Sequence, residues 1–177
     1  MRMTLRALTA AAAFLPATLL AQAKPAAPAL DDAAIVGIFD IANTWDIETG
    51  SLAARKGTRQ DVKDFGAMLA RDHKMVQGQG RDLAAKLKVT PTPVANDFSL
   101  KVAHEAAMKK LQSLSGPAFD KAFLEHEVAY HKAVNGAVAS TLIPNAQNKE
   151  LKELLETGLK LFTEHQHHAE HLAEAAH

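Results

Sequence analysis

From Asp31 onward the chain repeats apolar residues at helical spacing almost without interruption. The few breaks are Gly57, the run "TPTPVAND", Ser115-Gly116 and "IPNAQN". The segments between them are rich in Ala, Leu, Lys and Glu, and strand-type alternation is lacking, so the pattern predicts an all-α fold. Gly57 predicts the end of a first helix over 31–56, with Asp31 or Asp32 as its N-cap. A second helix is expected from Thr58 or Arg59 to about Val89, opened by the capping-box-like "TRQD". Pro91 and Pro93 forbid helix between it and a shorter third helix, expected from about Asp97 to Leu114. Pro117 suits the first turn of a fourth helix reaching about Leu142, and a fifth runs from about Gln147 to the end. Four long helices and one short one predict a four-helix bundle whose short extra helix lies in the crossover between two hairpins.

What precedes Asp31 reads differently. Arg2 and Arg6, the apolar "ALTAAAAFLPATLL" and Ala21-Gln22-Ala23 have the form of a signal peptide over residues 1–23, cleaved on export. That apolar run is interrupted by Pro16 and falls short of the roughly 20 residues of a membrane span. "KPAAPAL" over 24–30 reads as a flexible spacer, and 31–177 as a single helical-bundle domain. The expected location is the periplasm or cell envelope, with no transmembrane segment in the mature chain.

Composition removes several function classes. Without cysteine there is neither disulfide nor thiolate chemistry, and any metal must be held by His, Asp, Glu or Met. Loss of Arg2 and Arg6 leaves 18 basic residues (20 minus 2) against 20 acidic ones, which offers no electrostatic basis for nucleic-acid binding. No G-x-S-x-G occurs, and no serine has a base in its sequence context, so nucleophilic hydrolysis is not supported.

Placing residues at 100° per position sorts the polar groups by face. On the last helix, Leu151, Leu155, Phe162, Ala169 and Leu172 share a stripe with His165, whereas His167 and His171 point away. The second helix carries His73 within its stripe and Asp72 at the margin. The fourth carries Glu127 within and His131 beside. On the first helix Ile38, Ile41, Trp45 and Leu52 define the stripe, and Glu48 lies at its edge.

If the crossover traverses the bundle, the second and fourth helices run parallel and axial heights can be counted. Glu48, Glu127 and His165 then share one level and His73 and His131 another, about 7 Å apart at 1.5 Å per residue. A shift of roughly 2 to 4 residues in a helix end merges the two. Ionisable groups so placed need mutual pairing or an ion to offset burial. The expected site is therefore Glu48, His73, Glu127, His131 and His165, with Asp72, Asp120, His167 and His171 secondary. Imidazole with carboxylate suits a divalent transition metal such as Zn, Fe, Mn or Cu. Asp120 also suits a helix start.

The segments "FDIANTWDIETGSLAARKGTRQDVKDFGAMLARDHKM", "LSGPAFDKAFLEHEVAYHKAV" and "LKELLETGLKLFTEHQHHAEHLAEAA" resemble the domain of unknown function 4142 family (DUF4142). The matching positions are Glu48, Asp72, His73, Phe119, Asp120, His131 and His165. The resemblance implies a ferritin-like bundle and an envelope location, in a family of exported bacterial proteins often labelled outer membrane proteins. A membrane barrel would need alternating strands, which this sequence lacks.

A ferritin-type di-iron centre draws Glu-x-x-His from two helices, but the positions three before His73, His131 and His165 are Ala70, Val128 and Phe162. Three functions follow from the sequence. The leading one is a non-enzymatic binding or envelope-stress protein, for which a divalent metal at the inward cluster is a candidate ligand. The second is a metalloenzyme with a redox or peroxide-scavenging role there. The third is an interaction module whose polar network is metal-free.

Overall fold

The structure, a computed structural model, describes residues 30–96 and 98–175. The expected signal peptide, nearly all of the spacer and the expected third-helix start at Asp97 lie outside the described residues. Helices α1 (Asp32–Lys56) and α2 (Gln60–Leu87) form one hairpin. After the proline-containing strap comes α3 (Ser99–Ser113), then α4 (Gly116–Ala137). The α4 chain continues through a π-helical turn (Val138–Leu142) into the short α5 (Ile143–Asn145), and α6 (Lys149–Glu174) closes the second hairpin. Among the described residues there is no strand, and no helix is long and apolar enough to cross a membrane.

Local chemistry sets most of the ends. Asp31 caps α1 by accepting from the Ala34 amide at 2.8 Å, and Asn148 caps α6 by accepting from that of Leu151 at 3.1 Å. The "TRQD" stretch does not form its expected box, because no side chain of its own caps Arg59. Asp120 of α4 does so instead, accepting from the Thr58 and Arg59 amides at 2.8 and 2.9 Å. At the opposite end of the bundle, Asp32 accepts from the Gln147 and Asn148 amides at 2.8 and 3.0 Å. These two long-range caps put the start of α4 beside the start of α2, and the start of α6 beside the start of α1. The second and fourth helices therefore run parallel, as a traversing crossover requires.

The α1–α2 pair is unusually close. A Cβ on Gly50 would lie 2.7 Å from the Gly66 carbonyl oxygen, and one on Gly66 would lie 2.6 Å from that of Gly50, so only glycine lets the backbones meet. The expected stop at "IPNAQN" falls later than predicted. Pro144 is taken into a helical turn, and the π-turn before it accommodates the missing N–H.

Apolar side chains form two clusters. One contains Ile35, Phe39, Val134, Val138, Leu151 and Leu155, and the other Ala53, Val62, Phe65, Leu69, Phe119, Phe123 and Leu172. Between them, halfway along α1, α2, α4 and α6, lies a buried polar layer of Asn43, Asp46, His73, Glu127, His131 and His165.

Candidate metal centre

Each helix brings its polar group to the layer through its own periodicity. On α1, residues 35, 39, 42, 46, 49 and 53 alternate steps of four and three, and all are buried. This row places Asp46, not Glu48, among the histidines. Glu48 instead lies on the face that meets α3, its carboxylate 2.9 Å from His104 Nε2 and its side chain 50% exposed. Trp45 occupies that same outer face, stacked on His104 and Phe98 with ring centroids 5.4 and 6.4 Å away. Ile38, Ile41, Trp45 and Leu52 thus form a second apolar face, covered by the crossover. Helix α1 is apolar on two sides, and the stripe through Ile38, Ile41, Trp45 and Leu52 is the outer one.

Hydrogen bonds assign the imidazole protons. Asn43 donates Nδ2–H to the Phe39 carbonyl at 2.7 Å, so its Oδ1 is the acceptor for His73 Nδ1–H at 2.9 Å. His131 Nδ1–H donates to the Glu127 carbonyl at 3.1 Å. His165 Nε2–H faces Asp72 Oδ2 at 3.3 Å, and the other Asp72 oxygen accepts from Arg71 Nε at 2.7 Å. In the neutral rings the free lone pairs are then on His73 Nε2, His131 Nε2 and His165 Nδ1.

These three histidines converge, with one nitrogen of each within 4.8 Å of the others. His73 Nε2 and His165 Nδ1 are 3.2 Å apart. A tetrahedral ion with bonds of about 2.0–2.1 Å separates its nitrogen donors by about 3.3 Å, so this pair already has the spacing of two ligands. The two axial levels counted from the sequence have merged into one.

Carboxylates border the same space. Asp46, Glu127 and His131 form a second group with donor atoms within 4.8 Å. Asp46 Oδ1, both Glu127 oxygens and His131 Nε2 are buried with no hydrogen-bond partner among the described residues. Ion-pair distances are longer: His73 Nδ1 to Asp46 Oδ2 is 3.5 Å, His131 Nδ1 to Glu127 Oε2 3.4 Å, and His131 Nε2 to Asp46 Oδ1 3.9 Å.

Burial pushes the His73 imidazole well below its ordinary value, and His131 and His165 push it further. Burial, with His131 adding, pushes His165 down to about 4. For His131 the burial cost is outweighed by Asp46 and Glu127, which raise it. Burial holds the Asp46 carboxyl well above the carboxylate range, whereas Glu127, despite burial, is held below it by His131 and His126. A proton on His131 Nε2 occupies the position an ion would take, so ion and proton compete there.

The structure brings together His73, Glu127, His131 and His165, with Asp72 at the margin orienting His165. Glu48 stays outside, Asp120 caps α2 at the end of the bundle, and His167 and His171 are exposed on the outer face of α6. Asp46 and Asn43 join the layer although the outer stripe of α1 does not point to them. The four-three spacing that holds Asp46 with Ala42, Thr49 and Ala53 was the signal for it.

The family model described as domain of unknown function (DUF4142) matches residues 17–172. The chain belongs to the DUF4142 family. Searches of the curated proteins and of the solved structures found no match. In this DUF4142 chain the carboxylates do not follow the ferritin-type di-iron pattern. Phe162, three before His165, is a core residue with its ring against His73, centroids 4.8 Å apart. The acids come from α1 and from Glu127, four before His131. Such a donor set fits an ion bound chiefly by imidazole, not a carboxylate-bridged pair of irons.

Proposed function

We propose that this DUF4142 protein is an exported metal-binding bundle that holds one divalent transition ion at His73 Nε2, His131 Nε2 and His165 Nδ1. Asp46 and Glu127 serve as adjoining carboxylate ligands or counter-charges. The observation that carries the reading is the 3.2 Å approach of His73 Nε2 to His165 Nδ1. Asn43 and Asp72 hold the protons of these rings on their far nitrogens, so two lone pairs face each other. A cation between them turns that repulsion into two bonds.

The outward hydrogen bonds from His73 to Asn43, His131 to the Glu127 carbonyl and His165 to Asp72 also resemble the outer-shell bonds that orient metal-bound imidazoles. Four buried polar atoms of this cluster are without a hydrogen-bond partner among the described residues, and an ion would meet that deficit. The basic and apolar N-terminus supports export.

The test is elemental analysis of untagged protein purified without chelators, alongside His73→Ala, His131→Ala and His165→Ala. The expected content is about one ion per chain, lost in each variant, and less than about one tenth for every transition metal would sink the reading. Metal at 100 times its Kd should add about 2.7 kcal/mol of stability. That corresponds to roughly 5–11 °C in Tm for a domain of this size. Asp46→Asn should weaken the ion and Glu48→Gln should not, which separates the two acids of α1.

A further inference from the structure

Beside the polar layer lies a cavity of ≈ 20 Å³ whose walls include Ile38, Leu100, Val134, Ala137, Val138 and Leu142. The polar residues Asn43, Asp46 and His73 are also part of its lining. We infer that this cavity delivers a small uncharged molecule of about two or three non-hydrogen atoms to the ion as an exogenous ligand. The inference rests on the metal reading above and names the ligand class for that centre.

Size sets the upper limit. A water molecule needs about 10–15 Å³ of such space, so a diatomic or triatomic molecule fits and an organic substrate does not. Polarity sets the charge. A charged molecule entering among aliphatic walls loses its hydration without compensation.

The polar part of the lining also has one unused contact. Asn43 is engaged by His73 and the Phe39 carbonyl, and His73 Nδ1 by Asn43. Asp46 Oδ1 has no hydrogen-bond partner among the described residues, and it lies 3.9 Å from His131 Nε2. Asp46 is therefore the wall shared by cavity and metal position, and a molecule seated against it lies next to the ion. Three imidazole donors leave a transition ion a position for it. The irregular part of α4 is at the same place: Val138 and Leu142, the two ends of the π-turn, both line the cavity. Such turns recur where a helix borders a functional site.

The probes are xenon on the metal-free full chain, and nitric oxide, azide and imidazole on the chain loaded anaerobically with ferrous iron. Expected results are xenon in the cavity and a ferrous–nitrosyl paramagnetic signal at the centre. Azide should bind at least about tenfold more weakly than nitric oxide, and imidazole not at all. Ala137→Phe, which plugs the cavity from a half-buried position, should keep its iron and lose xenon and nitric oxide affinity by at least about tenfold. Leu142→Ala should do the opposite, raising xenon occupancy and admitting imidazole, which keeps the inference testable if Ala137→Phe does not fold.

Iron uptake with no nitrosyl signal overturns the inference and leaves the metal reading standing. Azide binding as tight as nitric oxide, or nitric oxide binding unchanged by Ala137→Phe, overturns it as well. Absence of iron uptake together with less than about one tenth of every other transition metal overturns both, and a cavity that takes up no xenon overturns the inference whatever ion is bound.

Discussion

Replacing the Asp46–Glu127–His131 group in part and as a whole separates the cost of stranded charge from the cost of lost packing. Glu127 is 0% exposed, neither of its oxygens has a hydrogen-bond partner among the described residues, and its imidazole neighbour His131 lies 3.4 Å away. His131→Leu removes that neighbour and leaves two buried carboxyl groups facing each other. Breaking a buried pair in this way costs about 3–5 kcal/mol. At about 2–4 °C per kcal/mol, the metal-free protein should melt roughly 6–20 °C lower.

The triple variant Asp46→Val, Glu127→Met, His131→Leu removes all the charges and keeps apolar volume in the layer. Such replacements are neutral or stabilise by about 1–4 kcal/mol, so its melting point should equal or exceed that of the wild type. Melts followed by far-ultraviolet circular dichroism with a chelator give both numbers. Repeating them with a transition metal should raise the wild type and leave the triple variant unmoved. A triple variant that melts as low as His131→Leu would refute the argument, because packing and not unpaired charge would then set the cost. A single variant within about 1 °C of wild type would refute it too, by showing that water reaches the group.

Three further outcomes are expected. His167→Ala with His171→Ala should leave metal content unchanged and stability within about 0.5 kcal/mol, since both side chains are exposed, whereas His165→Ala should cost a few kcal/mol. Gly50→Ala should cost about 1–3 kcal/mol in urea unfolding and weaken metal binding, because its Cβ would press the Gly66 backbone and spread the helices that carry Asp46 and His73.

The metal-free protein should also lose stability as pH falls from about 6.5 toward 4: the unfolded chain then binds protons that His73 and His165, held down in the fold, refuse. His131, raised in the fold, acts in the opposite sense and loses its contribution as pH rises through its folded value. His165→Gln should flatten the acid limb by about 3 kcal/mol, measured as the pH dependence of urea midpoints, and an unchanged limb would mean that His165 is not buried neutral.

Much of this protein is local and therefore legible in its sequence. Periodicity and the Gly and Pro breaks determine the helices, because backbone hydrogen bonding within a helix depends only on near neighbours. The inward faces of α2, α4 and α6 follow too, since each has one apolar side to bury, and His73, Glu127, His131 and His165 lie on those sides. Helix α1 shows where this ends. It is apolar on two faces, and only the packing of α2, α4 and α6 on one and of the crossover on the other decides that Asp46 points inward and Glu48 toward His104. The caps from Asp120 and Asp32 are tertiary for the same reason, being 61 to 62 and 115 to 116 residues from the amides they accept. So are the ring protons of the three histidines, which Asn43, Asp72 and the Glu127 carbonyl place. Residue identity sets which donors the chain owns, and the contact between helices sets where their lone pairs point.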